Sequence, residues 1–351
     1  MDNLSKLVFY VSFTLMILFP TIPLFSSELS IFIESGNDSW EVVDVLGRVF
    51  VFNETPLRVV SLAPSITEIL FALGKQYSII GVDAISYDDQ HYNISSYVRE
   101  KGIVNVGGYW WSLVDIQTII SLNPDLVIAD SGAHKPLLDI FNEYGVRAFY
   151  LYGGSARNLE EVFSDIIRVG IIFNDRDRAV KLVESIQSEF LKYRDIITNQ
   201  FYSVKVLFII GLDGGIWVAG KSTFIDDVLT KLGLINAIDR EGWLLLSIED
   251  LYRIQPDAII VASMFDISNT IKLVEEYELY SITKKVYVFK PFETDFFLRP
   301  GPLIVNVPRL IYSLLDYWNL RKPPPISEHS YLPIIVLVIT LSIFVFKRIK
   351  K

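Results

Sequence analysis

Asp175–Thr198 reads DRDRAVKLVESIQSEFLKYRDIIT and contains neither Gly nor Pro. Its apolar residues are Ala179, Leu182, Val183, Ile186, Phe190, Tyr193 and Ile197, and steps of 3, 1, 3, 4, 3 and 4 put them on one face of a helix. At 1.5 Å per residue that helix would be roughly 36 Å long. This is longer than one small lobe needs and suits a span across two. The flanking chain agrees. Asp115–Ala129, DIQTIISLNPDLVIA, aligns without a gap to Ser247–Val261, SIEDLYRIQPDAIIV, with Ile116/Ile248, Pro124/Pro256, Asp125/Asp257 and Ile128/Ile260 identical. A tryptophan, Trp111 or Trp243, precedes each copy at the same distance. Each copy predicts a helix opening on a capping Asp or Ser and closing before Pro, then a Pro-Asp turn and a buried strand. The predicted fold is therefore α/β: two α/β lobes with parallel sheets, joined by one long rigid helix, with a cleft to which the matched tryptophans belong.

Length and charge narrow the function. The chain has 351 residues, room for two domains, and a net charge of -9. An acidic balance argues against nucleic-acid binding, which needs a basic face. There is no cysteine, hence no disulfide framework, thiolate metal site or acylated N-terminal Cys. Leu7–Phe19 is an apolar run of signal-peptide length after Lys6, with no clean cleavage site behind it, so residues 1–30 are expected to be a signal peptide or an N-terminal anchor. Tyr331–Phe346, YLPIIVLVITLSIFVF, carries no charge and is followed by Lys347, Arg348, Lys350 and Lys351. This predicts a transmembrane anchor at 331–346, a basic cytoplasmic tail at 347–351 and a chain body outside the cell. RKPPPISEHS at 321–330 predicts a Pro-rich stalk. The expected lobes are 40–174, with a leading hairpin, and 199–320, joined by the helix at 175–198.

Along the body, Trp40–Asn53 predicts a β-hairpin turning near Asp44–Gly47. In Arg58–Gly74, RVVSLAPSITEILFALG, Ser65 and Glu68 have the spacing of a capping box. Three stretches read as loops: Asp83–Tyr97, which holds Tyr87, Asp89 and His91; Gly211–Gly220, which carries Trp217; and Lys290–Pro302, which holds Phe292, Phe296, Phe297 and Arg299.

Chemistry finds little purchase in this sequence. Gly215–Ser222, GIWVAGKS, satisfies the P-loop pattern, but Ile, Trp, Val and Ala are too bulky for a loop that wraps phosphate with its backbone. The three histidines, His91, His134 and His329, are scattered, and the first two read as solvated loop residues, so no metal site is expected. There is no G-x-S-x-G elbow. On carboxylates alone an extracellular surface enzyme such as a glycan hydrolase stays open. The aromatics are the remaining signal. Tyr109, Trp110, Trp111, Trp217, Trp243, Phe296 and Phe297 fall after strands or before helices, where an open α/β sheet binds ligands. Single aromatics usually pack under their own loops. Recurrence in both lobes favours a cleft that stacks on a large flat ligand.

Taken in order, these segments resemble a known family. Arg58–Gly74, the preceding hairpin with Asp44, Gly47 and Arg48, VGGYWW at Val106–Trp111, NPDLVIA, WVAGKSTFIDDVLTKLG at Trp217–Gly233 and QPDAIIV are similar to the motifs of the substrate-binding proteins of cobalamin and iron-siderophore ABC importers. The resemblance covers about Trp40 to Trp318, and the branch that binds vitamin B12 is the nearest likeness. It implies a bilobed fold with modest closure and a ligand, cobalamin, gripped between lobes as cargo with no cofactor and no catalysis. It places Trp243 and Trp217 at cleft aromatics of the family, and Trp111 or Tyr109 at another, depending on whether the count runs back from Pro-Asp or forward from the glycines. With the aromatics read from the sequence itself, the candidate ligand-binding set is Tyr87, Tyr109, Trp110, Trp111, Trp217, Trp243, Phe296 and Phe297. Arg299 matches the siderophore branch, where arginine holds an anionic ligand. The resemblance also implies one acidic residue on each lobe that docks on an ABC permease. Glu249 fits the second lobe. Asp115 and Gln117 are alternatives for the first, depending on which end of the motif is counted from.

Overall fold

A computed structural model of the chain describes residues 32–35, 39–264 and 266–322. The N-terminal segment 1–30, nearly all of the stalk, the anchor 331–346 and the basic tail lie outside the described residues. Among the described residues no helix is long and apolar enough to cross a membrane.

Strands β1 (Phe32–Ser35), β2 (Ser39–Val43) and β3 (Val49–Phe52) form an antiparallel leading sheet. The predicted β2–β3 turn is held by buried Asp44, whose carboxylate accepts from the Leu46 and Arg48 amides and pairs with the Arg48 guanidinium at 2.6 Å. The first lobe is a five-stranded, wholly parallel sheet. It contains β4 (Val59–Ser61), β5 (Ile79–Val82), β6 (Val104–Asn105), β7 (Leu126–Asp130) and β8 (Ala148–Leu151), in the spatial order β6-β5-β4-β7-β8.

The second lobe departs from the prediction of parallel sheets. Its strands are β9 (Lys205–Gly211), β10 (Ile216–Ala219), β11 (Ile235–Asn236), β12 (Trp243–Leu246), β13 (Ala258–Val261) and β14 (Val286–Val288). β9, β11, β13 and β14 pair in parallel, but β10 runs antiparallel to both β9 and β12. The segment read as the loop Gly211–Gly220 is a turn through Gly214 and Gly215, both at positive φ, that sends the chain back as β10. A P-loop is thereby excluded, since the bulky residues at 216–219 form a strand and not a phosphate cradle.

Alternation along the parallel strands divides the interior. Val60, Leu62, Val127 and Ala129 face one core of the first lobe, and Leu207, Ile209, Ile259 and Val261 face one core of the second. The opposite faces, Val59, Ile128, Phe208 and Ile260 among them, meet in a third core common to both lobes. The connecting helix, Arg176–Gln200, lies in that common core, with Ala179, Val183, Ile186, Phe190, Tyr193 and Ile197 buried. The predicted stripe and the buried stripe coincide except at half-buried Leu182. The helix Leu159–Ile172 packs against it, and at Gly170 a Cβ would come within 2.4 Å of the Ala179 Cβ.

The repeat holds in three dimensions. Asp115 and Ser247 cap the helices Ile116–Leu122 and Ile248–Ile254, and Asn123 and Gln255 end them in the left-handed conformation. Asp125 then accepts from the Arg58 amide at the start of β4, and Asp257 accepts from the Lys205 amide at the start of β9, both at 2.8 Å. The basic side chains return the favour: Arg58 donates to the Leu122 carbonyl and Lys205 to the Ile254 carbonyl, satisfying helix C-terminal carbonyls at matching positions.

Candidate ligand-binding cleft

A cavity of about 280 Å³ opens between the lobes. On the first-lobe side, each of the five parallel strands supplies its lining from the carboxyl end. Pro64 and Ser65 follow β4, Ile85 follows β5, Tyr109 and Trp110 follow β6, Asp130 ends β7, and Gly154 follows β8. From the second lobe come Met264, after β13, and Thr294, Asp295, Leu298, Arg299 and Pro300, after β14. This is the crevice beyond strand carboxyl ends where open α/β sheets bind ligands.

The first-lobe wall is tightly tied. Asp130 is buried and accepts from the amides of Gly132 at 2.7 Å and Gly154 at 2.7 Å, and from the Tyr109 hydroxyl at 2.6 Å. Burial first, and then the Asp130 carboxylate, push the Tyr109 phenol up, so it keeps its proton. His134 closes a ring with the same two residues. Its Nδ1 accepts from the Asp130 amide, and its Nε2 donates to the Tyr109 carbonyl at 2.6 Å. Burial lowers the His134 pKa. Gly153 sits at φ +53°, and a Cβ there would lie 2.4 Å from the Asp130 carboxyl carbon. Buried Asp165 fixes that turn by accepting from the amides of Tyr152 and Gly153, and desolvation pushes its pKa up to about 7.

The back of the cleft is a charge cluster that joins the lobes. Arg299 meets Asp89 at 2.6 Å and Glu68 at 3.0 Å, both from the first lobe, and Asp295 of its own helix at 3.0 Å. His91 Nε2 lies 3.0 Å from the same Asp295 oxygen. Glu68 has no exposure, and its Oε2 has no hydrogen-bond partner. Desolvation outweighs the pull of Arg299, whose single charge is shared among three carboxylates, and pushes Glu68 up to about 8. Arg299 is itself pushed up: burial works against its charge, but the carboxyl groups of Glu68, Asp295 and Asp89 together outweigh it.

Several predictions for this region need correction. Glu68 is not a capping residue: the helix Pro64–Ala72 starts after Ala63 with no side-chain cap, and Glu68 points inward to Arg299. His91 and His134 are buried rather than solvated, since each has a polar partner inside the fold. The loop Asp83–Tyr97 is largely helical, with Asp83 capping Ala84–Tyr87 and Ile94–Lys101 following. Tyr87 lies off the cavity wall, half-buried, its ring facing the Arg99 guanidinium. Most of the loop Lys290–Pro302 is the helix Pro291–Leu298, started by Pro291 and by Glu293 accepting from the Lys290 amide. That helix turns Phe297 into the core between Phe208 and Phe289, at ring distances of 5.0 and 5.3 Å, so it cannot touch a ligand. Phe296 is half-buried beside Phe292 and His91. Arg299 does line the cavity, but as a neutralised cation.

The tryptophans stand free. Trp110 lines the cavity at 57% exposure, and Trp111 begins a short turn beside it, also exposed. In the second lobe Trp217 of β10 pairs with Gly211, the last residue of β9, and so stands at a strand carboxyl end. Trp217 faces Leu245 across the β10–β12 pair and Ala219 faces Trp243, so Trp217, Leu245 and Trp243 share one face, at 40%, 53% and 51% exposure. Sequence reasoning missed Asp130, Asp89 and Asp295. Asp130 had a signal: an Asp at the carboxyl end of a buried strand, capping the turn that follows. Asp89 and Asp295 had none, being brought together across more than 200 residues.

Of the docking candidates, Asp115, Gln117 and Glu249 are all exposed. Asp115 is the helix cap, accepting from the Thr118 amide, which holds its carboxyl below the usual range. Glu249 is at the second helical position of the other copy, and its counterpart there is Gln117.

The periplasmic binding protein family model matches residues 59–283. The chain belongs to the periplasmic binding protein family. Family membership makes it a substrate-binding protein of an ABC importer. It is similar to an uncharacterised ABC transporter substrate-binding lipoprotein of Bacillus subtilis, 27% identical over 75% of this chain and 81% of the relative. It is also similar to the vitamin B12-binding protein of Pectobacterium carotovorum, 24% identical over 74% of this chain and 88% of that protein. Among solved structures, a periplasmic heme-binding protein of Pseudomonas aeruginosa is 25% identical with a TM-score of 0.62, over 77% of this chain and 95% of the other.

Proposed function

We propose that the protein is an extracytoplasmic, membrane-tethered receptor that captures cobalamin or a similar corrinoid and hands it to an ABC permease, without catalysing a reaction. The observation that carries this reading is the cavity at the strand carboxyl ends, walled by both lobes and lined by exposed Trp110. At about 280 Å³ it lies just below the roughly 300–1,000 Å³ of ordinary ligand pockets. A corrinoid exceeds it and must overhang, and exposed Trp110, Trp217 and Trp243 give such a ligand flat apolar surfaces to lie on.

A haem or ferric siderophore receptor is the second reading, and the similarity to a heme-binding protein favours it. The side chains at the cleft weigh against direct iron ligation. The Tyr109 hydroxyl is committed to Asp130, both His134 nitrogens are used within the fold, and His91 Nε2 meets Asp295. A hydrolase reading lacks support of this kind.

In this account residues 40–174 and 199–320 are the lobes, 175–198 the spine, 321–330 a stalk, 331–346 the anchor and 347–351 a cytoplasmic tail. Glu249 docks the second lobe on the permease, and Asp115, or Gln117 through hydrogen bonds, docks the first. Tryptophan fluorescence of the full-length protein in detergent tests the ligand. Cyanocobalamin should quench it at micromolar or lower concentration. Quenching by haem or a ferric siderophore, with no response to cyanocobalamin, transfers the assignment to the second reading. Glu249→Ala should leave binding intact and impair uptake; undiminished uptake removes its docking role.

A further inference from the structure

Arg299 is the only lysine or arginine on the described cavity wall, and acids already surround it. Its guanidinium nitrogens lie 2.6–3.0 Å from Asp89, Glu68 and Asp295. The opposite wall adds Asp130, whose partners are amides and a phenol and not a cation. Buried Asp83 stands behind that wall, bonded to the Ile85 amide and the Ser86 hydroxyl.

We propose that the cleft selects by charge: it admits uncharged or cationic ligands and rejects anionic ones, with Asp295 and Asp130 as the specificity-determining residues and Arg299 withdrawn from ligand contact. The inference rests on reading this cleft as the ligand site, and it names the class of ligand that site takes. A carboxylate entering the cavity loses water and finds no free cation there, while two carboxylates face it at short range. Glu68, pushed up to about 8, holds a proton at neutral pH and adds no charge. Asp83, pushed only to about 6, is ionised there. The balance stays acidic after both corrections. An amide-rimmed corrinoid of zero net charge, its phosphodiester balanced by the cobalt centre, meets less of this penalty than a ligand bearing free carboxylates.

Two ligand pairs, each keeping its scaffold and changing its charge, test the inference on the full-length protein in detergent. One pair is cyanocobalamin and its monocarboxylate, in which one propionamide has been hydrolysed. The other is haem dimethyl ester and haem. The uncharged member of a pair that binds should do so roughly tenfold more tightly at low salt. The ratio should shrink as salt is raised and shrink about threefold in Asp295→Asn. Equal or tighter binding of the anionic member overturns the proposal, as does a ratio indifferent to both salt and Asp295→Asn. If the haem pair obeys the charge rule while cyanocobalamin does not bind, the corrinoid reading fails and the charge rule stands. Binding of neither pair overturns both.

Discussion

Glu68 shows how far a single side chain can be removed from its sequence appearance. Three residues after Ser65 it has the spacing of a cap, yet it is fully buried against Arg299. Its carboxyl holds a proton up to about pH 8 when folded, against 4.5 for the unfolded chain. The folded state therefore binds more protons between those values, so the stabilisation is complete below 4.5 and is lost as pH rises through 8. Asp83 and Asp165, pushed up to about 6 and 7, act in the same direction. Thermal melts should give a Tm several degrees higher at about pH 5.5 than at about pH 8.5, and Glu68→Gln should narrow that gap. A Tm that rises with pH over the same range contradicts the assignment. On the proposed function, Trp243→Ala should weaken ligand binding by about 1–3 kcal/mol, read as a Kd shift; an unchanged Kd makes the ring structural. The aromatics were legible as residues because few other side chains in the loops could grip anything. Which of them face the cleft was not, since Phe297 and Trp110 differ only in how a short helix turns one of them inward.

Among the elements, the connecting helix was almost fully legible, predicted over 175–198 and found at Arg176–Gln200. A helix without breakers and with a regular stripe needs little help from tertiary context. The tight seam against Leu159–Ile172 was less visible, because a glycine inside a helical pattern looks like a weakness. Gly170→Val should destabilise the chain by about 1–3 kcal/mol, since its Cβ would overlap Ala179; an unchanged denaturant midpoint would mean the helices part without cost. The repeat was legible for the same reason as the helix: Pro-Asp before an apolar run forces a turn and then a strand. β10 was not. Two glycines and a bulky apolar tetrad fit a hairpin arm as well as a loop, and pairing with β9 and β12 decides between them. The helix Pro291–Leu298 escaped detection because apolar residues surround it on every side, leaving no stripe to read.

In the whole molecule, one core runs through both lobes, and one charge cluster ties them beside the cleft. Both features oppose a large closing motion. Arg299→Ala leaves Glu68, Asp89 and Asp295 facing one another and should cost about 3–5 kcal/mol in denaturant unfolding; an unchanged denaturant midpoint would mean the cluster does not hold the lobes together. The bilobed plan was legible from the repeat and its spine, but the cluster was not, because it joins residues from opposite ends of the chain. The central claim is that a corrinoid lies across this preformed cleft. Calorimetric titration of the full-length protein with cyanocobalamin tests it most directly. The account predicts one site per chain, a Kd of micromolar or below and a negative heat-capacity change from apolar burial on the tryptophans. Absence of binding at millimolar ligand would contradict it.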